Sequence, residues 1–154
     1  MTEPIAFLAL KSCEELVDDP SEWYYRQVHP TFVSDGIIDP DAFRCNDGEL
    51  SGARSSKQTA QGAYEEYPAN RTAGTWGLTI AQVVKAKARV VDDSKCPLPH
   101  GLQAWPKGHA FLDQRIGDKT FRKQMRSNLA RHAMKNKRLY PPPDPAAGES
   151  SNQG

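Results

Sequence analysis

The chain has 154 residues, 38% of them hydrophobic and 25% charged, with a formal net charge of +1. That length suits one domain able to bury a core without staples, and no apolar run approaches the roughly 20 residues needed to cross a bilayer. The cysteines Cys13, Cys45 and Cys96 are odd in number, far apart and outside any CxxC pair, which argues against a disulfide framework or a zinc ribbon and for a reducing, cytoplasmic location.

In chain order, the opening residues do not read as a secretory signal, since no charged segment precedes an apolar run. Residues 5–10 (IAFLAL) are too few for periodicity to type and are expected to begin a helix. Residues 13–20 (CEELVDDP) carry early acids and stop at Pro20, the pattern of a second short helix. Residues 22–28 (EWYYRQV) favour a strand leading into His29. Its alternation puts Trp23, Tyr25, Gln27 and His29 on one side and Tyr24, Arg26 and Val28 on the other.

Residues 29–54 (HPTFVSDGIIDPDAFRCNDGELSGAR) gather turn formers and reactive side chains. Asp35-Gly36 and Asn46-Asp47-Gly48 should reverse the chain, and Asp39-Pro40 should cap a short helical turn that carries Phe43 inward. His29, Cys45, Ser51 and Arg54 then lie on loops or strand ends, where a rigid scaffold displays functional groups.

Residues 59–67 continue at helical spacing to Pro68, and residues 75–80 (TWGLTI) alternate as a half-buried strand, with Gly77 leaving one side open. Thr79 should cap a helix over 79–87, followed by a strand over 88–91 that runs into Asp92 and Asp93. Residues 94–107 form a Pro-rich loop held by Leu102 and Trp105. Residues 108–113 make a last strand, with His109 at its start, able to approach His29 if the two strands are neighbours.

Asp118 should cap a long helix in which Phe121, Met125, Leu129 and Ala133 form an apolar stripe. Residues 118–138 hold eight basic side chains against one acid, a local charge of +7, while residues 1–117 carry a net −4. The expectation is a single α+β domain over 1–140, with a short mixed sheet and a C-terminal amphipathic basic helix. Residues 141–154 read as a disordered Pro/Gly/Ser-rich tail.

Three chemistries are open. His29, Ser51, Arg54 and His109 are the candidate catalytic residues. A zinc site from His29, Cys45, His100 and His109 lacks diagnostic spacing, so no metal is expected, and a thiolate nucleophile would need Cys45 or Cys96 beside a base. There is no P-loop and no dinucleotide fingerprint. On the basic helix, Arg122, Lys123 and Arg126 are the candidate partner contacts, against a plainly solvated face as the simpler account.

The set His29-Pro30, Asp35-Gly36, Ala42-Phe43, Leu50-Ser51, TWGLTIAQV at 75–83, Val90-Val91-Asp92-Asp93 and Gly108-His109-Ala110 resembles a family of short bacterial proteins of unassigned activity. This resemblance spans residues 25–140 and implies a cohesive domain without a mechanism. A histidine, a glycine turn and then Leu50-Ser51 with Arg54, followed by a tyrosine-bearing helix, also resembles ADP-ribosyltransferase-like and RES-type domains. That likeness implies NAD as ligand, with His29 or Arg26 and Ser51 orienting it and Tyr64 stacking on it. Asp92, Asp93 or Asp113 would have to stand in for the acid those domains use. The expected function is a small cytosolic binding or accessory module acting on a partner macromolecule, a protein first and nucleic acid second, with no membrane role and no cofactor. The alternative is an NAD-using transferase or hydrolase centred on His29 and Ser51.

Overall fold

A computed structural model describes residues 7–45, 47–115 and 118–143. Six strands form one sheet: β1 (Glu15–Val17), β2 (Trp23–Gln27), β5 (Glu49–Arg54), β6 (Thr75–Thr79), β7 (Arg89–Asp92) and β8 (His109–Asp113). Their order is β1-β7-β8-β5-β2-β6. A separate hairpin of β3 (Val33–Ser34) and β4 (Ile37–Ile38) turns at Asp35-Gly36, both at positive φ (53° and 77°), as such a dipeptide favours. Among the described residues, three α-helices complete the domain: α1 (Ala60–Glu65), α2 (Ile80–Lys85) and α3 (Lys119–Asn136).

The architecture is α+β with a long C-terminal helix. The sheet is antiparallel at every pairing rather than mixed. β5 and β6 run the same way, but β2 lies between them and opposes both, so the two parallel strands never meet.

The N-terminal third departs from its local signals. Residues 13–20 hold an edge strand instead of a helix: β1 pairs with β7, with Val17 opposite Val90 and 2% exposed. Cross-strand burial of Val17 outweighs the weak helical preference of a short acidic segment. Residues 7–10 have no regular structure, and Phe7 packs under the Arg89 guanidinium, 4.4 Å from the ring centre. The first two residues of the expected helix lie outside the described residues.

Cys13 and Cys96, 83 residues apart, form a disulfide with their Cα atoms 4.9 Å apart. The pairing is tertiary: laying β1 along β7 brings Cys13 beside the segment that leaves β7, which no spacing in the chain announces. Cys45 is the free thiol. The disulfide removes unpaired cysteines as a ground for a reducing compartment. No helix among the described residues is long and apolar enough to cross a membrane.

One side of the sheet carries the core. Met125, Leu129, Ala130 and Ala133 of α3 are buried against Tyr24, Leu50, Leu78, Val90 and Leu112, with Val83 of α2 and Phe43 closing the ends. The stripe read in the sequence therefore faces the sheet, Asp118 accepts from the Phe121 amide at 2.9 Å, and each fully buried large side chain contributes about 1.5–3 kcal/mol. Thr79 and Gln82 form a reciprocal capping box on α2, and Asp39 caps the turn at Pro40–Phe43. Gly77 does not leave an open side, because Leu139 and Trp23 fill the space its missing side chain frees. After α3 the chain returns to β6, where the Thr75 amide donates to the Tyr140 carbonyl at 2.7 Å. From residue 144 on, the expected tail lies outside the described residues.

Candidate functional site

Alternation along β5 and β8 sends Ser51, Ala53, His109 and Phe111 to the side of the sheet opposite α3. The register pairs Ser51 with Phe111 and Ala53 with His109, so Ser51 and His109 are diagonal neighbours on one face. His109 Nδ1 lies 2.7 Å from Asp93 Oδ1, in the residue that follows β7. Trp105 stacks on the imidazole, with ring centres 4.8 Å apart and planes at 29°, and donates its indole N–H to the Cys96 carbonyl at 3.0 Å. The 94–107 segment is thus held by the disulfide and Trp105, whereas Leu102, expected to hold it, is 46% exposed.

Two open depressions meet at Ser51 and His109. One, of about 320 Å³, is walled by Glu14, Asp47, Glu49, Asp93, Trp105 and Phe111. The other, of about 200 Å³, is walled by Tyr25, Ala53, Ala63, Tyr67, Pro106 and Lys107. In the first, burial raises the Glu49 carboxyl above its usual range; Arg115 pulls against this while Asp47 and Glu14 add to it.

Only half of the expected catalytic set is gathered here. His29 accepts from the Thr31 amide at 3.1 Å and caps the turn at Pro30–Phe32; it lines neither depression. The strand carrying His109 neighbours β7 and β5 rather than β2, so His109 meets Asp93 and not His29. Arg54 is on the core side, clasping Glu22 through Nε (2.7 Å) and Nη2 (2.8 Å) and Asp92 through Nη1 (2.8 Å). Lys57 and Ser56 complete that cluster. The Arg54 hydrogen bonds draw the Glu22 carboxyl down to about 2. Burial pushes Asp92 upward, but hydrogen bonds from Ser94, Lys57 and Arg54 outweigh it and leave Asp92 below the usual carboxylate range. Arg54 is a structural ion-pair residue, closing over two carboxylates that would otherwise be buried charges.

Tyr64 packs edge-on against Tyr140 with ring centres 5.3 Å apart, and the groove is lined instead by Tyr67, just past the end of α1. Asp113 is bound by Arg89 and Arg115 at 2.8 and 2.9 Å. Asp93 and Trp105 are groove residues outside the expected catalytic set: Trp105 holds the 94–107 loop, as expected, and Asp93 is one of the three acids named as a stand-in. Asp93 was visible as an acid ending a strand, but its partner depended on strand order.

A second cleft, of about 760 Å³, opens beside α3. Arg122, Lys123 and Arg126 line it together with Lys119, and Arg44 and Arg115 join from other elements; Asp41 and Asp47 are the facing acids. Cys45 sits half-buried in its wall, its thiol raised first by burial and then by Asp47. Among the described residues no three or more His, Cys, Asp or Glu side chains are placed to hold a metal ion. No protein-family model matches the chain, and no curated protein and no solved structure matches it either.

Proposed function

We propose that the protein is a binding module that docks an acidic segment of a partner macromolecule in the α3 cleft. One observation carries this reading: among the described residues, six cations from α3, from the end of the Pro40–Phe43 turn and from just past β8 surround a single depression that two carboxylates face. A convex solvated helix face would spread its charges outward. Here they converge on a concavity, where the local potential and the on-rate of an anionic ligand both rise. Among the described residues the cleft walls hold no aromatic side chain on which a nucleobase could stack, which favours a carboxylate-rich protein segment over single-stranded nucleic acid.

The test is titration of the protein with a fluorescent oligoglutamate peptide and, separately, with a single-stranded oligonucleotide over a range of salt. Replacing Arg122, Lys123 and Arg126 together by Gln should weaken peptide binding at least about tenfold and flatten its salt dependence. Unchanged affinity and slope would make these charges a solvated face. Tighter binding of the oligonucleotide than of the peptide would reverse the choice of partner.

A further inference from the structure

We propose that the groove opposite α3 is a second, hydrolytic site, with Ser51 as nucleophile, His109 as its base and Asp93 as the residue that positions His109. Asp93 fixes Nδ1 of the ring at 2.7 Å from the β7 side of β8. Nε2 lies outside that contact, and Ser51 stands diagonally across from His109 on the same face, one strand over on β5. Trp105, stacked at 4.8 Å, fixes the plane of the ring. Ser51 is exposed to the groove, and its hydroxyl has no hydrogen bond among the described residues, although its backbone carbonyl is held by Tyr24 and Arg26. A nucleophile and a base on two adjacent strands, with an orienting carboxylate in the residue that follows a third, are the parts that activate a serine, whatever their order in the chain.

The two depressions define the substrate class. Tyr25, Ala53, Ala63, Tyr67 and Pro106 form an apolar wall on one side of Ser51, suited to an acyl chain, and Lys107 beside them supplies positive charge for a developing oxyanion. On the other side the carboxylates Glu14, Asp47, Glu49 and Asp93 outnumber Lys11, even with Arg115 3.8 Å from Glu14 and 3.9 Å from Glu49, which suits a leaving group that carries a cation. The substrate is therefore an ester joining an apolar acyl group to a cationic alcohol.

In the first step Nε2 takes the Ser51 hydroxyl proton while Oγ bonds to the ester carbonyl carbon. The bond from that carbon to the leaving oxygen breaks, and Nε2 returns the proton to the departing alcohol. Water then attacks the acyl-serine, giving one proton to Nε2. The carbon–Oγ bond breaks, the acid is released with the oxygen of water, and Ser51 recovers its proton.

The oxidised full-length protein should be incubated with a short alkyl fluorophosphonate at about pH 8 and analysed by intact mass and peptide mapping. One phosphonyl adduct is expected, on Ser51. Ser51→Ala should abolish it with the fold retained, since the side chain is exposed. Asp93→Asn should slow labelling by about 100-fold or more and displace its pH profile, because it alters the tautomer and basicity of His109. A merely structural role for Asp93 would leave the pH profile in place. His109→Gln should also slow labelling; if that variant fails to fold, Asp93→Asn carries the test. No adduct on Ser51 in the wild type, or unchanged labelling in Asp93→Asn, would overturn the proposal.

Discussion

The ring of Tyr24 lies against the bare face of Gly52, so a Cβ built on that glycine would overlap Tyr24 Cε2 and the Tyr25 carbonyl oxygen. The Tyr24 hydroxyl donates to the Leu50 carbonyl at 2.7 Å, so the ring crosses β5 at the one residue that leaves it room. Tyr24 is fully buried and cannot move aside. Gly52→Ala should therefore cost about 3 kcal/mol or more, as overpacking at a rigid site does. Urea unfolding followed by tryptophan fluorescence reads it as a fall in midpoint; an unchanged midpoint would mean that the ring has another place to go.

Arg54 joins Glu22 and Asp92, whose side chains are 6% and 3% exposed. Arg54→Met leaves both carboxylates without their shared partner and should destabilise the fold by about 3–5 kcal/mol. The pH dependence follows from Glu22, whose carboxyl is lowered from 4.5 to about 2. A depressed folded value stabilises the protein above the unfolded value, and that stabilisation is lost as pH falls from 4.5 towards 2. The wild type should lose about 3 kcal/mol across this window, the equivalent of the Glu22 shift. The variant should lose much less, and parallel acid limbs in the two proteins would refute the assignment.

The Cys13–Cys96 bond closes a separation of 83 residues. By chain entropy such a crosslink stabilises by up to about 4.5 kcal/mol, so Cys13→Ser with Cys96→Ser should lower the melting temperature by many degrees, and a reducing agent should do the same to the wild type. In denaturant without reductant, a thiol reagent should modify Cys45 alone. Three reactive thiols in the purified protein would show that the bond does not form.

Leu139 and Gly77 can be tested as a pair. A Cβ on Gly77 would lie 2.6 Å from Leu139 Cδ1 and 2.9 Å from Trp23 Cε3. Gly77→Ala should cost about 1–3 kcal/mol by overpacking. Combined with Leu139→Ala, which removes the first obstacle, the two losses should fall short of their sum by about 1 kcal/mol or more. Additive losses in thermal unfolding would mean that Trp23, rather than Leu139, limits the space.

The elements legible before folding are those whose cause is local. The spacing of Met125, Leu129 and Ala133 put an apolar stripe on α3, Asp118 and Thr79 capped their helices, Asp35-Gly36 turned the hairpin, and alternation separated the two faces of β2. Each follows from backbone geometry and hydrogen bonds within a few residues. Ser51 and His109 could be chosen as polar residues on strands, but their meeting could not be derived, because it depends on β5 lying beside β8. The same strand order set His29 apart from His109, turned Arg54 into a clasp on Glu22 and Asp92, and gave His109 its partner Asp93. It also laid β1 on β7, overriding the helical signals of residues 13–20 and bringing Cys13 to Cys96. Strand order is chosen by the joint burial of side chains far apart in the chain, so neither the groove nor the disulfide has a local signature.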